Sequence, residues 1–139
     1  MSALLDKTLI GIESETELFE VERGAIRKFA EAIGDPHGMY LRGDVAPPTF
    51  PITFRVKIPG LANVDPARFI HANEEYTYER PLRAGDQVAC RRKIVDLFHK
   101  EGRLGQMTFV ITTMEGRGPD GQLLFTSKST VIIHGGEKA

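Results

Sequence analysis

From Phe69 to His134 the chain runs as long strand-like segments broken by short turn clusters, and this half constrains the fold most. Phe69–Glu79 reads as one strand, with Arg80-Pro-Leu-Arg-Ala-Gly-Asp86 as its turn. Gln87–His99 reads as the next. Its apolar residues switch from even positions (Val88, Cys90, Ile94) to odd ones (Val95, Leu97), which predicts a bulge. Lys100-Glu-Gly-Arg103 turns the chain, and Leu104–Met114 places Met107, Phe109 and Ile111 on one face. Gly118-Pro-Asp-Gly121 is a strong turn signal, followed by a last strand over Gln122–His134. Long strands joined by tight turns predict an antiparallel meander.

The first half supplies what the sheet packs against. In Arg23–Ile33 the apolar residues Ile26, Phe29, Ala30 and Ile33 recur at i, i+3, i+4 and i+7, one face of an α-helix. Gly34 follows as its C-terminal cap and Pro36 prevents continuation. Before it, Glu17–Glu22 alternates so that Phe19 and Val21 face inward on a short strand. Pro47-Pro48-Thr49 predicts a second helix through Phe50, Ile52, Phe54 and Val56, ending before Pro59-Gly60. A helix apolar nearly all round is one buried on most sides. An antiparallel sheet of about five strands has one face to bury, so the expected fold is α+β: a single domain over residues 1–139, with a curved sheet wrapped around a central helix. Residues 136–139 are expected to be a frayed tail.

Eighteen Lys+Arg stand against nineteen Asp+Glu, and no basic block interrupts the chain, so a nucleic-acid surface is not expected. The sequence has no uncharged apolar run near the ~18 residues of a membrane span, and its first residues do not read as a secretory signal. The single cysteine, Cys90, cannot form an internal disulfide and is read as a packing residue; the expected location is the cytoplasm.

Gly116-x-Gly118-x-x-Gly121 has the spelling of a dinucleotide fingerprint, but a strand follows it where a helix is required, so it is read as a hairpin. The four histidines show no i, i+4 spacing, so no metal site is expected. The chemically informative stretch is Asp35-Pro-His37-Gly-Met-Tyr40 followed by Val45-Ala-Pro-Pro48-Thr49-Phe50. It sets a carboxylate, an imidazole and a phenol just past one helix and before the free amides of the next. Those are parts for moving protons beside a thioester carbonyl, with the Thr49 or Phe50 N–H, or a later amide, to hold its oxygen. The plain alternative is a polar loop that caps and turns. His71, Tyr76, Tyr78 and Asp86 are read first as structural: hydrogen bonding, sheet packing and turn closure. Arg91-Arg92-Lys93 is read as a solvated strand edge, with contact to a cofactor phosphate as the lesser alternative.

Several segments together resemble the MaoC-like, (R)-specific enoyl-thioester hydratase/dehydratase family of hotdog proteins. They are Val21-Glu-Arg with the helix to Asp35, Ala46-Pro-Pro-Thr-Phe50, His71-x-x-x-x-Tyr76-x-Tyr78, and Arg80-Pro-Leu-Arg-Ala-Gly-Asp86. The resemblance is strongest to the N-terminal-type dehydratase domain, which also occurs as the partner subunit of heterodimeric 3-hydroxyacyl dehydratases. It implies a hotdog fold and no cofactor beyond the CoA or acyl-carrier protein that carries the substrate as a thioester. It also implies a homodimer, or a heterodimer with a second hotdog. Pro48, Thr49, Phe50 and His71 are the implied substrate-binding residues; Asp35, His37 and Tyr40 are the candidate catalytic ones.

The resemblance breaks at one place. The family's active pattern is Gly-Asp-x-Asn-Pro-aliphatic-His. Here Gly34-Asp35 is kept, but His37 stands at the Asn position and Tyr40 at the His position. A phenol with a reference pKa near 10 is a poor general base at neutral pH. Three functions follow from this: a hydratase or dehydratase of acyl thioesters, a non-catalytic acyl-binding subunit beside a partner that bears the Asp–His dyad, or a hotdog acyl-CoA thioesterase relying on Asp35.

Overall fold

The computed structural model describes residues 5–58, 60–103 and 105–135; the expected tail at 136–139 lies outside them. Five strands, β1 (Glu17–Glu20), β2 (Phe69–Tyr78), β3 (Gln87–Gly102), β4 (Gly105–Arg117) and β5 (Leu123–Ile133), form one antiparallel sheet. Their order is β1-β3-β4-β5-β2. Helix α1 (Arg23–Ile33) matches its periodicity end to end, and Gly34 closes it in the left-handed region (φ 72°) with its amide on Ala30 and Glu31. A one-turn helix, α2 (Gly38–Leu41), follows in the loop where none is expected. The bulge in β3 falls between Ile94 and Asp96, at the parity switch.

Two expectations need correction. The strands do not form a simple meander: β3, β4 and β5 do, but β2 pairs with β5 at the far edge. Residues 79–86 are therefore a crossover and not a hairpin turn. This crossover acts as a brace. Val21 bonds it twice (Val21 N to Asp86 O and Gly85 N to Val21 O, both 2.8 Å), and Ala46 N donates to Leu82 O at 2.8 Å. Arg80 grips Asp86 with both terminal nitrogens, at 2.8 and 3.1 Å, while the Arg83 amide adds a third bond at 2.7 Å. Burial alone would raise the Asp86 carboxyl, but these donors outweigh it and hold it below the usual carboxylate range.

The second correction concerns the central helix. Only Phe50–Thr53 is helical, as a single 3-10 turn, and no regular structure continues to Ile58. Pro51 lacks the amide that would make the first α-helical bond to Pro47 O; Phe50 N takes that carbonyl instead, at 2.9 Å, closing a tighter turn. From Phe54 to Lys57 burial alternates, with Phe54 and Val56 inside and Arg55 and Lys57 outside, the pattern of an extended segment.

The core is consequently divided. One cluster joins Ile26, Phe50, Phe54, Leu82, Val88, Cys90, Met114 and Phe125 beneath α1. The other joins Leu61, Ile94, Leu97, Val110, Val131 and Ile133. On β4 the deeply buried face carries Thr108, Val110, Thr112, Met114 and Gly116, while Met107, Phe109 and Ile111 occupy the other, partly exposed face. Gly116 is required by packing: a Cβ there would lie 2.1 Å from the Phe125 ring.

Candidate functional site

The first candidate residues sit on the loop after α1. Asp35 is tied back to the helix by its amide on Ala30 O at 3.0 Å. Its carboxylate accepts the backbone N–H of His37 at 3.0 Å. His37 in turn caps α2, its Nδ1 accepting the Met39 amide at 3.4 Å. The His37 and Tyr40 rings lie 5.4 Å apart, tilted by 48°. The structure thus gathers Asp35, His37 and Tyr40 on one turn, with the carboxylate and the imidazole each turned to a local amide. Arg23 and Arg42 both pair with Asp44, clamping this loop to the first turn of α1 and holding the Asp44 carboxyl below its ordinary range.

Pro48, Thr49 and Phe50 lie at the inner side of the same region. Pro48 O accepts the Tyr78 hydroxyl at 2.6 Å. Phe50 is buried, edge-on to Phe29 at 5.6 Å. Its amide donates to Pro47 O at 2.9 Å, so it is spent within the turn. Among the described residues the Thr49 amide has no acceptor. Burial, with Tyr76 and Tyr40 nearby, pushes the Tyr78 phenol up.

His71 is not part of this group. It opens β2, seven residues before Tyr78, which is roughly 20 Å along a strand at about 3.3 Å per residue. Its Nε2 lies 2.7 Å from Glu74 Oε1 and 3.4 Å from Ser129 Oγ. There it borders a cavity of about 280 Å³ lined also by Ile52, Phe54, Arg55, Val56, Arg92 and Val131. The space lies between residues 52–58 and the sheet.

That concave surface carries residues the sequence reading missed. In register across four strands, Arg92, Met114, Ser127 and Tyr76 form one row. Ile94, Thr112, Ser129 and Glu74 form the next. The polar members lie between the two apolar clusters. Arg92 belongs to no solvated edge: its Nη1 donates to Thr112 Oγ1 at 2.9 Å and its Nη2 approaches Met114 Sδ at 3.5 Å. Its Nε, the Tyr76 hydroxyl and Ser127 Oγ are buried with no partner among the described residues. Burial pushes the Arg92 pKa down against the pull of Glu74, and pushes the Tyr76 phenol up. Even parity through Val88, Cys90 and Ile94 already placed Arg92 inward; the neighbouring charges obscured it. Cys90 is fully buried, and desolvation raises its thiol to about 12, far from a reactive thiolate.

A family model described as FAS1-like, dehydratase domain region, matches residues 8–127. The chain belongs to that family. The UPF0336 protein of Thermobifida fusca is 34% identical over 137 residues, covering 86% of each chain. Among solved structures, a C-terminally truncated HadBC (3R-hydroxyacyl-ACP dehydratase) complex from Mycobacterium tuberculosis matches at TM-score 0.74 and 24% identity, over 92% of this chain and 99% of that one. The ChsH1–ChsH2 complex of the same organism matches at TM-score 0.66 and 22% identity, over 91% and 86%. The fold is a hotdog. The family model supports a dehydratase-like role.

Proposed function

We propose that this chain is the acyl-thioester-binding subunit of a 3-hydroxyacyl (enoyl) thioester dehydratase, working beside a second hotdog that supplies the Asp–His dyad. One observation carries the reading: the Asp35 carboxylate and the His37 imidazole each accept a local backbone amide, and Tyr40 stands where the dyad histidine belongs. Acid–base work on a thioester needs a carboxylate and a base aimed at one reacting carbon, with an N–H on the carbonyl oxygen. Of the two amides before the 3-10 turn, Phe50's is spent on Pro47 O, and Thr49's has no acceptor among the described residues. The solved structures of like fold include two-subunit complexes, which supports a hotdog partner. The substrate is proposed to arrive as a CoA or acyl-carrier-protein thioester, with no other cofactor, in the cytoplasm.

Mixing tests the reading. The chain is purified alone and with a short hotdog bearing Asp-x-x-x-x-His, and crotonyl-CoA hydration is followed. The expected result is turnover only in the mixture, at a rate that Asp35→Asn leaves nearly unchanged. Hydration by the chain alone, lost in Asp35→Asn, favours the second reading, a self-sufficient hydratase. The observation for that one is the 5.4 Å approach of the His37 and Tyr40 rings beside Asp35.

A further inference from the structure

We propose that the cavity between the concave sheet and residues 52–58 is a carboxylate-binding site: it takes an aliphatic chain ended by a carboxylate, with the carboxylate on Arg92. A guanidinium carries five N–H donors. Arg92 spends one on a threonine hydroxyl and one on a thioether, and its Nε is buried without a partner. None of the described ion pairs includes it. Glu74, the acid that faces it across the curved sheet, is held by His71 at 2.7 Å. A partly buried cation without an ion-pair partner gains from an acceptor brought in from outside.

The neighbours narrow the chemistry. Ser129, one row over, adds a hydroxyl donor to the lining beside Arg92, which suits a group that only accepts. An ionised carboxylate is such a group, and an arginine fork matches its two oxygens. Arg55 and Lys57 stand exposed on the lining, so cations outnumber the single acid, Glu74. The rest of the lining includes Ile52, Phe54, Val56, Ile58 and Val131, a surface for methylenes and not for a phosphate. At about 280 Å³ the space suits a short chain. The carboxylate has two possible sources: a free fatty acid, or the far end of a dicarboxylic acyl thioester.

Titration calorimetry on the full chain separates the outcomes. Hexanoate is expected to bind roughly tenfold or more tighter than hexan-1-ol, the worth of one charge-assisted hydrogen bond, and Arg92→Met is expected to erase that preference. Adipoyl-CoA binding tighter than hexanoyl-CoA by a similar factor, with the advantage lost in Arg92→Met, assigns the site to a thioester's distal end. Equal binding of the two thioesters, with the hexanoate preference intact, assigns it to a free acid. No hexanoate binding, equal binding of acid and alcohol, or a preference that survives Arg92→Met overturns the proposal. Should Arg92→Met fail to fold, the acid–alcohol comparison on the unaltered chain decides alone. The thioester arm rests on the function proposed above, the free-acid arm does not: a hexanoate preference without hexanoyl-CoA binding sinks only the former.

Discussion

The loop after α1 and the concave face of the sheet treat polar groups in opposite ways. On the loop, Asp35 and His37 find backbone partners within two residues, near solvent. On the sheet, Arg92, Tyr76 and Ser127 are carried inside by strand alternation and leave buried atoms unmatched. Local chain geometry satisfies the first set whatever else is bound. Of the second set, Arg92 borders the cavity, where the proposed carboxylate would give it a partner. The side chains that look catalytic bond their own backbone, and the face that looks structural is the one with unspent hydrogen bonds.

Variants should divide along the same line, with the largest losses on the sheet. Gly116→Ala drives a methyl into the Phe125 ring, and about 3 kcal/mol of stability should be lost, read by urea denaturation. Asp86→Asn breaks the fork from Arg80 and should cost about 2 kcal/mol. Because the folded Asp86 pKa lies below its ordinary value, this contribution is complete above the ordinary carboxylate range. It fades as pH falls through the lowered folded value, so acid melts of the parent and the variant should converge there. Arg92→Met should raise stability by about 1 kcal/mol, since a partly buried charge without an ion-pair partner gives way to an apolar side chain. A large loss at that position would show that the guanidinium is matched and would blur the contrast. Asp35→Ala should cost least, about 0.5–1 kcal/mol, because it removes one turn-closing hydrogen bond at a partly exposed position.

How legible each part was follows from range. Helix α1, its Gly34 cap, the β3 bulge and the Gly118–Gly121 turn all rest on neighbours a few residues apart, and periodicity displayed them. The β2–β5 pairing joins Phe69 to Ile133, and nothing local distinguishes it from a hairpin with β3. The central segment failed differently: apolar composition suggested a buried helix, but three prolines decided its backbone. The Asp35–Tyr40 loop was found because its chemistry is written in six residues. The polar rows were missed because each takes its members from four strands.

The most direct test of the account is one sample incubated with trans-2-hexenoyl-CoA, with binding and product followed together. The account predicts saturable binding with the thioester recovered unchanged. Conversion to 3-hydroxyhexanoyl-CoA by the chain alone, abolished by Asp35→Asn, would contradict it.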